Sequence, residues 1–179
     1  MEDQRKKVIL TGFMGVGKST VARHLSYILR SEKIDLDTVI EESEQDSVVN
    51  IIEKKGIDYF RNLETKLLKK ILEEGQFSIV ALGGGAWMTE RNRELIRANN
   101  YTTIWLESTF EHCWRNINSS KKQRPLVSDK KQVKTLFKDR EKFYCLADWH
   151  FLMKPELTSL DVAKQIAEEV FSFERSEIV

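Results

Sequence analysis

Proline and cysteine are almost missing from this sequence of 179 residues; each occurs twice, and glycine only eight times. So few chain breakers exclude collagen-like and proline-rich low-complexity architectures and favour helix. Cys113 and Cys145 stand alone, without Cys-x-x-Cys spacing, which argues against a disulfide framework or a thiolate metal site. Two small buried residues in a reducing compartment are expected instead. Apolar stretches such as Val8-Ile9-Leu10 and Ile79-Val80-Ala81-Leu82 fall far short of the ~20 residues of a membrane span. The polar start, Met1 to Lys7, has no apolar core behind it, so no secretory signal is expected. An excess of one charge is absent too. The net charge is +1, which gives no case for nucleic acid or a membrane surface as partner. A soluble, cytoplasmic protein is the expectation.

What is present is ordinary globular material, 41% hydrophobic and 32% charged, which excludes disorder. A chain of this size buries roughly 70% of its unfolded surface, and residues 1–179 read as a single domain. Short apolar strands alternate with helical periods. Lys7 to Thr11 reads as a strand and Gly12 to Lys18 as a loop; Val21, Leu25, Ile28 and Leu29 then form a helical stripe. Lys33 to Leu36 is a second strand, followed by acidic helical sequence interrupted near Gly56. Phe60, Leu63, Leu67 and Ile71 give the face of a helix from Ile57 to Glu74, closed by Gly75. Strands follow at Phe77–Leu82, Tyr101–Leu106 and Trp149–Met153. Helices are expected over Thr89–Ala98, Phe110–Ile117, Lys134–Tyr144 and Leu160–Phe173, with Asn118 to Lys131 an exposed loop. Five apolar strands separated by helices imply an α/β fold, a parallel sheet with helices on both faces.

The strongest motif is Gly12-Phe13-Met14-Gly15-Val16-Gly17-Lys18-Ser19-Thr20, a match to G-x-x-x-x-G-K-[ST] between a strand and a helix. Glycines let the backbone curl so that its N–H groups surround a phosphate, and the next helix aims its positive end at the same anion. Lys18 is placed to reach the β- and γ-phosphates, and the Ser19 hydroxyl to ligate Mg²⁺. This is a nucleoside-triphosphate site. No Asn/Thr-Lys-x-Asp base-reading motif of a Ras-type GTPase occurs, and the chain is short for a motor or helicase. A small-molecule kinase fits best.

Other residues permit more than one reading alone. Asp35 and Asp37 flank one residue at a strand end, where ligands meet such sheets, yet either could simply cap the next helix. Left on an extended strand, their side chains would face opposite ways. Arg61 lies beside the apolar row of its helix, as a fork for a carboxylate or as an ordinary pair with Glu64. Gly83-Gly84-Gly85 follows a strand and permits close backbone approach, or is a plain turn. Lys121 to Lys142 holds nine basic and three acidic residues, much of it solvated surface.

Taken together these motifs resemble, in order and from about Val8 to Trp149, those of the shikimate kinases. They are the phosphate loop, Asp35-Leu36-Asp37, Phe60-Arg61-x-x-Glu64, Gly83-Gly84-Gly85, and Arg124-Pro125-Leu126 followed by Arg140-x-x-x-Tyr144. The resemblance implies a P-loop fold of the nucleoside-monophosphate-kinase type, with acceptor-binding helices over about 35–64 and a mobile lid over about 118–131. It implies ATP-dependent phosphorylation of the 3-hydroxyl of shikimate, with Mg²⁺, by a monomer. By the same likeness Gly12, Gly15, Val16, Gly17, Lys18, Ser19 and Thr20 bind ATP, and Asp35 anchors Mg²⁺ through water. Asp37 holds and deprotonates the acceptor hydroxyl, Arg61 and Arg140 grip its carboxylate, and Gly83, Gly84 and Gly85 line its site. Arg124 neutralises the transferring group, and Arg115 lies against adenine. Val127 and Trp87 depart from the family pattern, and Met153-Lys154-Pro155-Glu156 is hard to match to it. A kinase for another small acceptor, such as a sugar acid or nucleoside monophosphate, is the alternative. So is a module that binds ATP without transferring phosphate.

Overall fold

Strand and helix alternate through most of the chain in the computed structural model, which describes residues 6–120 and 129–173. The elements are β1 (Lys7–Thr11), α1 (Lys18–Leu29), β2 (Lys33–Asp35), α2 (Leu36–Glu44), α3 (Val48–Lys55), α4 (Ile57–Glu74) and β3 (Ile79–Ala81). They continue with α5 (Glu90–Ala98), β4 (Tyr101–Glu107), α6 (Phe110–Ser119), α7 (Lys130–Tyr144), β5 (Trp149–Leu152) and α8 (Ser159–Phe171). One 3-10 turn, Ala86–Met88, precedes α5.

Among the described residues the five strands form one parallel sheet in the order β2-β3-β1-β4-β5. Val8, Ile9 and Leu10 of β1 and Ile79, Val80 and Ala81 of β3 are all fully buried. Neighbouring strand residues point to opposite faces, so unbroken burial means that helices cover both. The strand order reverses beside β1, which lies between β3 and β4. The loop leaving its C-terminal end therefore opens into the crevice where such sheets take ligands. No helix among the described residues is long and apolar enough to cross a membrane.

Several boundaries differ from the sequence reading, each for a local reason. β2 stops at Asp35 because its carboxylate accepts from the Asp37 amide at 3.1 Å and starts α2. The helical stretch before Gly56 is two helices, parted at Gln45 with φ +54° and restarted by Ser47, which caps α3 through the Asn50 amide. β3 is confined to Ile79–Ala81. α7 begins at Lys130 rather than Lys134 because Asp129 accepts from the Lys131 amide. With α6 running to Ser119, the stretch 118–131 read as loop loses both ends to helix. Arg124, Pro125 and Leu126 lie outside the described residues. On α4 the buried row is Phe60, Glu64, Leu68, Ile71 and Leu72, with Leu63 and Leu67 half-buried at its flank. Cys113 is buried as expected, but Cys145 is exposed at the end of α7.

Helices α2, α3 and α4 are tied by their ends. Glu44 of α2 accepts from Lys55 of α3 and, at 2.9 Å, from the Tyr59 hydroxyl of α4. Asp46 accepts from Lys54 and Asn50, both at 2.6 Å.

Candidate active site

The phosphate loop needs torsions that a side chain resists. Gly12, Gly15 and Gly17 have φ of +141°, +80° and +109°. At Gly15 space forbids a side chain as well, since a Cβ would stand 2.6 Å from the Cys113 carbonyl oxygen on α6. Asn116, also on α6, donates to the Gly15 carbonyl at 2.8 Å. Lys18 Nζ arches over the loop and donates to the Gly12 and Phe13 carbonyls at 2.8 and 3.1 Å.

Ser19 Oγ donates to Asp35 Oδ2 at 2.5 Å, while Asp35 Oδ1 caps α2. Asp35 thus caps α2 and also lines a cavity. One aspartate joins the start of α1 to the start of α2 and brings Asp37, in the first turn of α2, to the same cavity. The two carboxylates line one cavity because β2 ends at Asp35 and Asp37 is already in α2.

That cavity, about 430 Å³, runs from the phosphate loop to Gly83-Gly84-Gly85. None of the three glycines has a positive φ; what they supply is room. A Cβ on Gly83 would strike the Asp37 carboxylate, and one on Gly85 the Arg61 guanidinium. One on Gly84 would stand 3.4 Å from both Arg140 Nη1 and the Met14 amide nitrogen. Each missing side chain leaves space for one charged group.

Arg61 Nη1 donates to Glu64 Oε2 at 2.7 Å, so the i, i+3 pair exists, but Glu64 is only 1% exposed and the pair is no surface bridge. Burial pushes the Glu64 carboxyl above its ordinary range; Arg61 opposes this without cancelling it. Arg140 is buried too, and its Nη1 donates to the Gly84 carbonyl at 2.9 Å. Its burial lowers the guanidinium pKa.

Of the residues singled out in the sequence, Gly15, Gly17, Lys18, Ser19, Thr20, Asp35, Asp37, Arg61, Gly83, Gly84, Gly85 and Arg140 line this one cavity. Gly12 and Val16 sit behind its wall, Val16 buried. Arg115 is exposed on α6, away from the lining, and Arg124 lies outside the described residues. Trp87 is not among the lining residues; it is buried in the turn after the triplet, with Nε1 donating to the Phe143 carbonyl at 2.8 Å. His112 Nε2 stands 3.0 Å from the Asn116 side-chain amide nitrogen. Met153, in the stretch hard to match, packs behind Gly17. Sequence reading missed the apolar wall that Val48, Ile52 and Ile57 form beside Phe60, although Val48 and Ile52 stand at i, i+4 spacing. It also missed Asn116, for which the sequence carries no signal.

A phosphate loop at the switch point of a parallel sheet, facing a small pocket of paired acids and guanidinium groups, defines an α/β P-loop kinase for a small acceptor. The family model described as shikimate kinase matches residues 14–171. The shikimate kinase of Streptococcus thermophilus is 37% identical over 139 residues, 76% of this chain and 83% of the relative. That of Caldanaerobacter subterraneus subsp. tengcongensis is 35% identical over 168 residues, covering 92% and 91%. The solved shikimate kinase from Acinetobacter baumannii in complex with shikimate has a TM-score of 0.84 at 29% identity, covering 93% of each chain. The chain belongs to the shikimate kinase family.

Proposed function

We propose that the protein transfers the γ-phosphoryl group of ATP to the 3-hydroxyl of shikimate. The observation that carries this is the convergence of Asp37, Arg61 and Arg140 on the glycine triplet, in a cavity whose other end is the phosphate loop. A substrate with one carboxylate and several hydroxyls matches two guanidinium forks and one anionic hydroxyl acceptor.

Each residue then has a task. The loop amides and Lys18 hold the β- and γ-phosphates, and Lys18 exchanges its loop carbonyls for phosphate oxygens. Arg61 and Arg140 grip the acceptor carboxylate. Glu64 keeps one guanidinium nitrogen of Arg61 occupied, which fixes the direction of the remaining donors. Asp37 accepts the 3-hydroxyl proton as that oxygen bonds to the γ-phosphorus and the bond to the β-bridging oxygen breaks, releasing ADP. Arg124 and Arg115 take the roles that the family likeness gives them, on the transferring group and the adenine. Most of the acceleration comes from holding two reactants in line, the kind of effect that well-oriented groups supply.

A Mg²⁺ ion fits beside Lys18, where a hydroxyl and a carboxylate, both hard oxygen donors, already stand 2.5 Å apart as Ser19 and Asp35. Bound there it would neutralise charge on the β- and γ-phosphate oxygens. Among the described residues no group of three or more His, Cys, Asp or Glu could hold a metal, and Mg²⁺ needs none, since it keeps waters and takes phosphate oxygens.

A coupled ADP-release assay with shikimate, quinate, gluconate, nucleoside monophosphates and no acceptor tests the reading. Turnover that depends on shikimate is expected. Equal release without acceptor, or faster release with a nucleoside monophosphate, would contradict it.

A further inference from the structure

One carbonyl in the acceptor site receives two donors from the same helix. Arg140 and Tyr144 stand four residues apart on α7, hence on one face, and both donate to the Gly84 oxygen, at 2.9 and 2.6 Å. Tyr144 does not line the cavity and is 1% exposed, so no substrate touches it. Its ring stacks on Trp105, with centroids 6.1 Å apart. Burial pushes the phenol well above its ordinary pKa, so the oxygen keeps its proton and donates. The end of α7 is further tied to the turn after the triplet through Trp87 Nε1 and the Phe143 carbonyl.

The peptide plane makes this consequential. The Gly84 carbonyl and the Gly85 N–H belong to one trans peptide and point in opposite directions. Pinning the carbonyl on α7 therefore aims the Gly85 amide away from it, and no hydrogen bond among the described residues engages that amide. The same carbonyl seats Arg140 Nη1, which stands at the cavity.

We propose that Tyr144 is a positioning residue for the acceptor: by sharing the Gly84 carbonyl with Arg140, it sets both the direction of the Gly85 N–H and the seat of the Arg140 guanidinium. Glycine has the freest backbone of any residue, so an unpinned triplet would sample several peptide orientations. The hydroxyl removes that freedom without entering the site.

The inference rests on the proposed acceptor reading, and its test separates the two. Tyr144→Phe keeps the ring and leaves Arg140 on the carbonyl, so the protein is expected to fold. The shikimate KM should rise about tenfold, one net hydrogen bond's worth, with the ATP KM within about twofold of wild type. Trp105→Phe loosens the packing around the same ring but keeps the hydroxyl bond; it should lower the melting temperature and leave the shikimate KM alone. A shikimate KM unchanged in Tyr144→Phe, an equal rise in Trp105→Phe, or loss of the folded state in Tyr144→Phe would each overturn the proposal. A wild type that does not turn over shikimate defeats the acceptor reading and this inference together. An active wild type matched by Tyr144→Phe defeats this inference alone.

Discussion

Gly85→Ala is the most informative small change in the acceptor site, because it separates binding from folding. The backbone at Gly85, φ −112° and ψ −12°, is open to alanine, so no torsional strain is added. The new methyl would instead stand where the Arg61 guanidinium is, 2.8 Å from its central carbon. Arg61 must swing away, and its bond to Glu64 at 2.7 Å goes with it. A charge-assisted hydrogen bond to the acceptor carboxylate is worth about 1.5–3 kcal/mol, so the shikimate KM should rise about 10- to 150-fold. Stability changes less. Alanine contributes about 0.4–1 kcal/mol through the unfolded chain, against about 1–3 kcal/mol for leaving the buried Glu64 without its partner. A melting temperature lower by a few degrees is expected, at about 2–4 °C per kcal/mol for this chain length. Steady-state kinetics at saturating ATP and a thermal melt read both. A shikimate KM within about twofold of wild type would refute the claim that Arg61 meets the carboxylate.

Three further changes probe other parts of the cavity. Lys18→Met removes the cation at the phosphates and should cut kcat by about 10³-fold or more, with circular dichroism unchanged. Asp37→Asn should lower kcat by about 10²–10⁴-fold, the range of a lost general base, with a smaller effect on the shikimate KM. Glu64 links pH to stability. Its carboxyl is raised in the folded state, chiefly by burial, so the folded protein binds that proton more tightly than the unfolded chain. The stability it contributes is fully present below the ordinary carboxylate range and is lost as pH rises through the folded value. Urea midpoints of wild type and Glu64→Gln between about pH 4 and 7 should therefore converge at the acid end and separate above it, wild type being the one that falls. Parallel profiles would contradict that.

Local chemistry explains how much of this was legible in the sequence. The phosphate loop was, because glycine spacing, lysine and serine constrain one another over nine residues and the flanking strand and helix follow from apolar period. The sheet was legible too: Val8, Ile9 and Leu10 are a short apolar run ending at a glycine-rich loop, which reads as a strand buried on both faces. The convergence of Asp37, Arg61 and Arg140 came only with the family likeness, since their contact depends on the sheet bringing distant segments to one edge. Periodicity found Phe60 and Ile71 of the buried row of α4 but not Glu64, because a buried carboxylate secured by Arg61 carries no apolar signal. It also started α7 late, since Lys130 to Gln132 show no apolar spacing and only Asp129 marks the start. Asn116 and the Tyr144 hydroxyl were invisible, as each acts on a backbone carbonyl of a remote segment.

The grip of two guanidinium groups on a carboxylate is tested most directly by a ratio. The measurement is kcat/KM for shikimate against its analogue with the carboxylate reduced to a primary alcohol, in wild type, Arg61→Ala and Arg140→Ala. Wild type should favour the acid by about 10²-fold or more, and each variant should lose at least about tenfold of that preference, because each fork supplies a charge-assisted bond only to the acid. A preference that survives intact in both variants would mean that neither arginine meets the carboxylate.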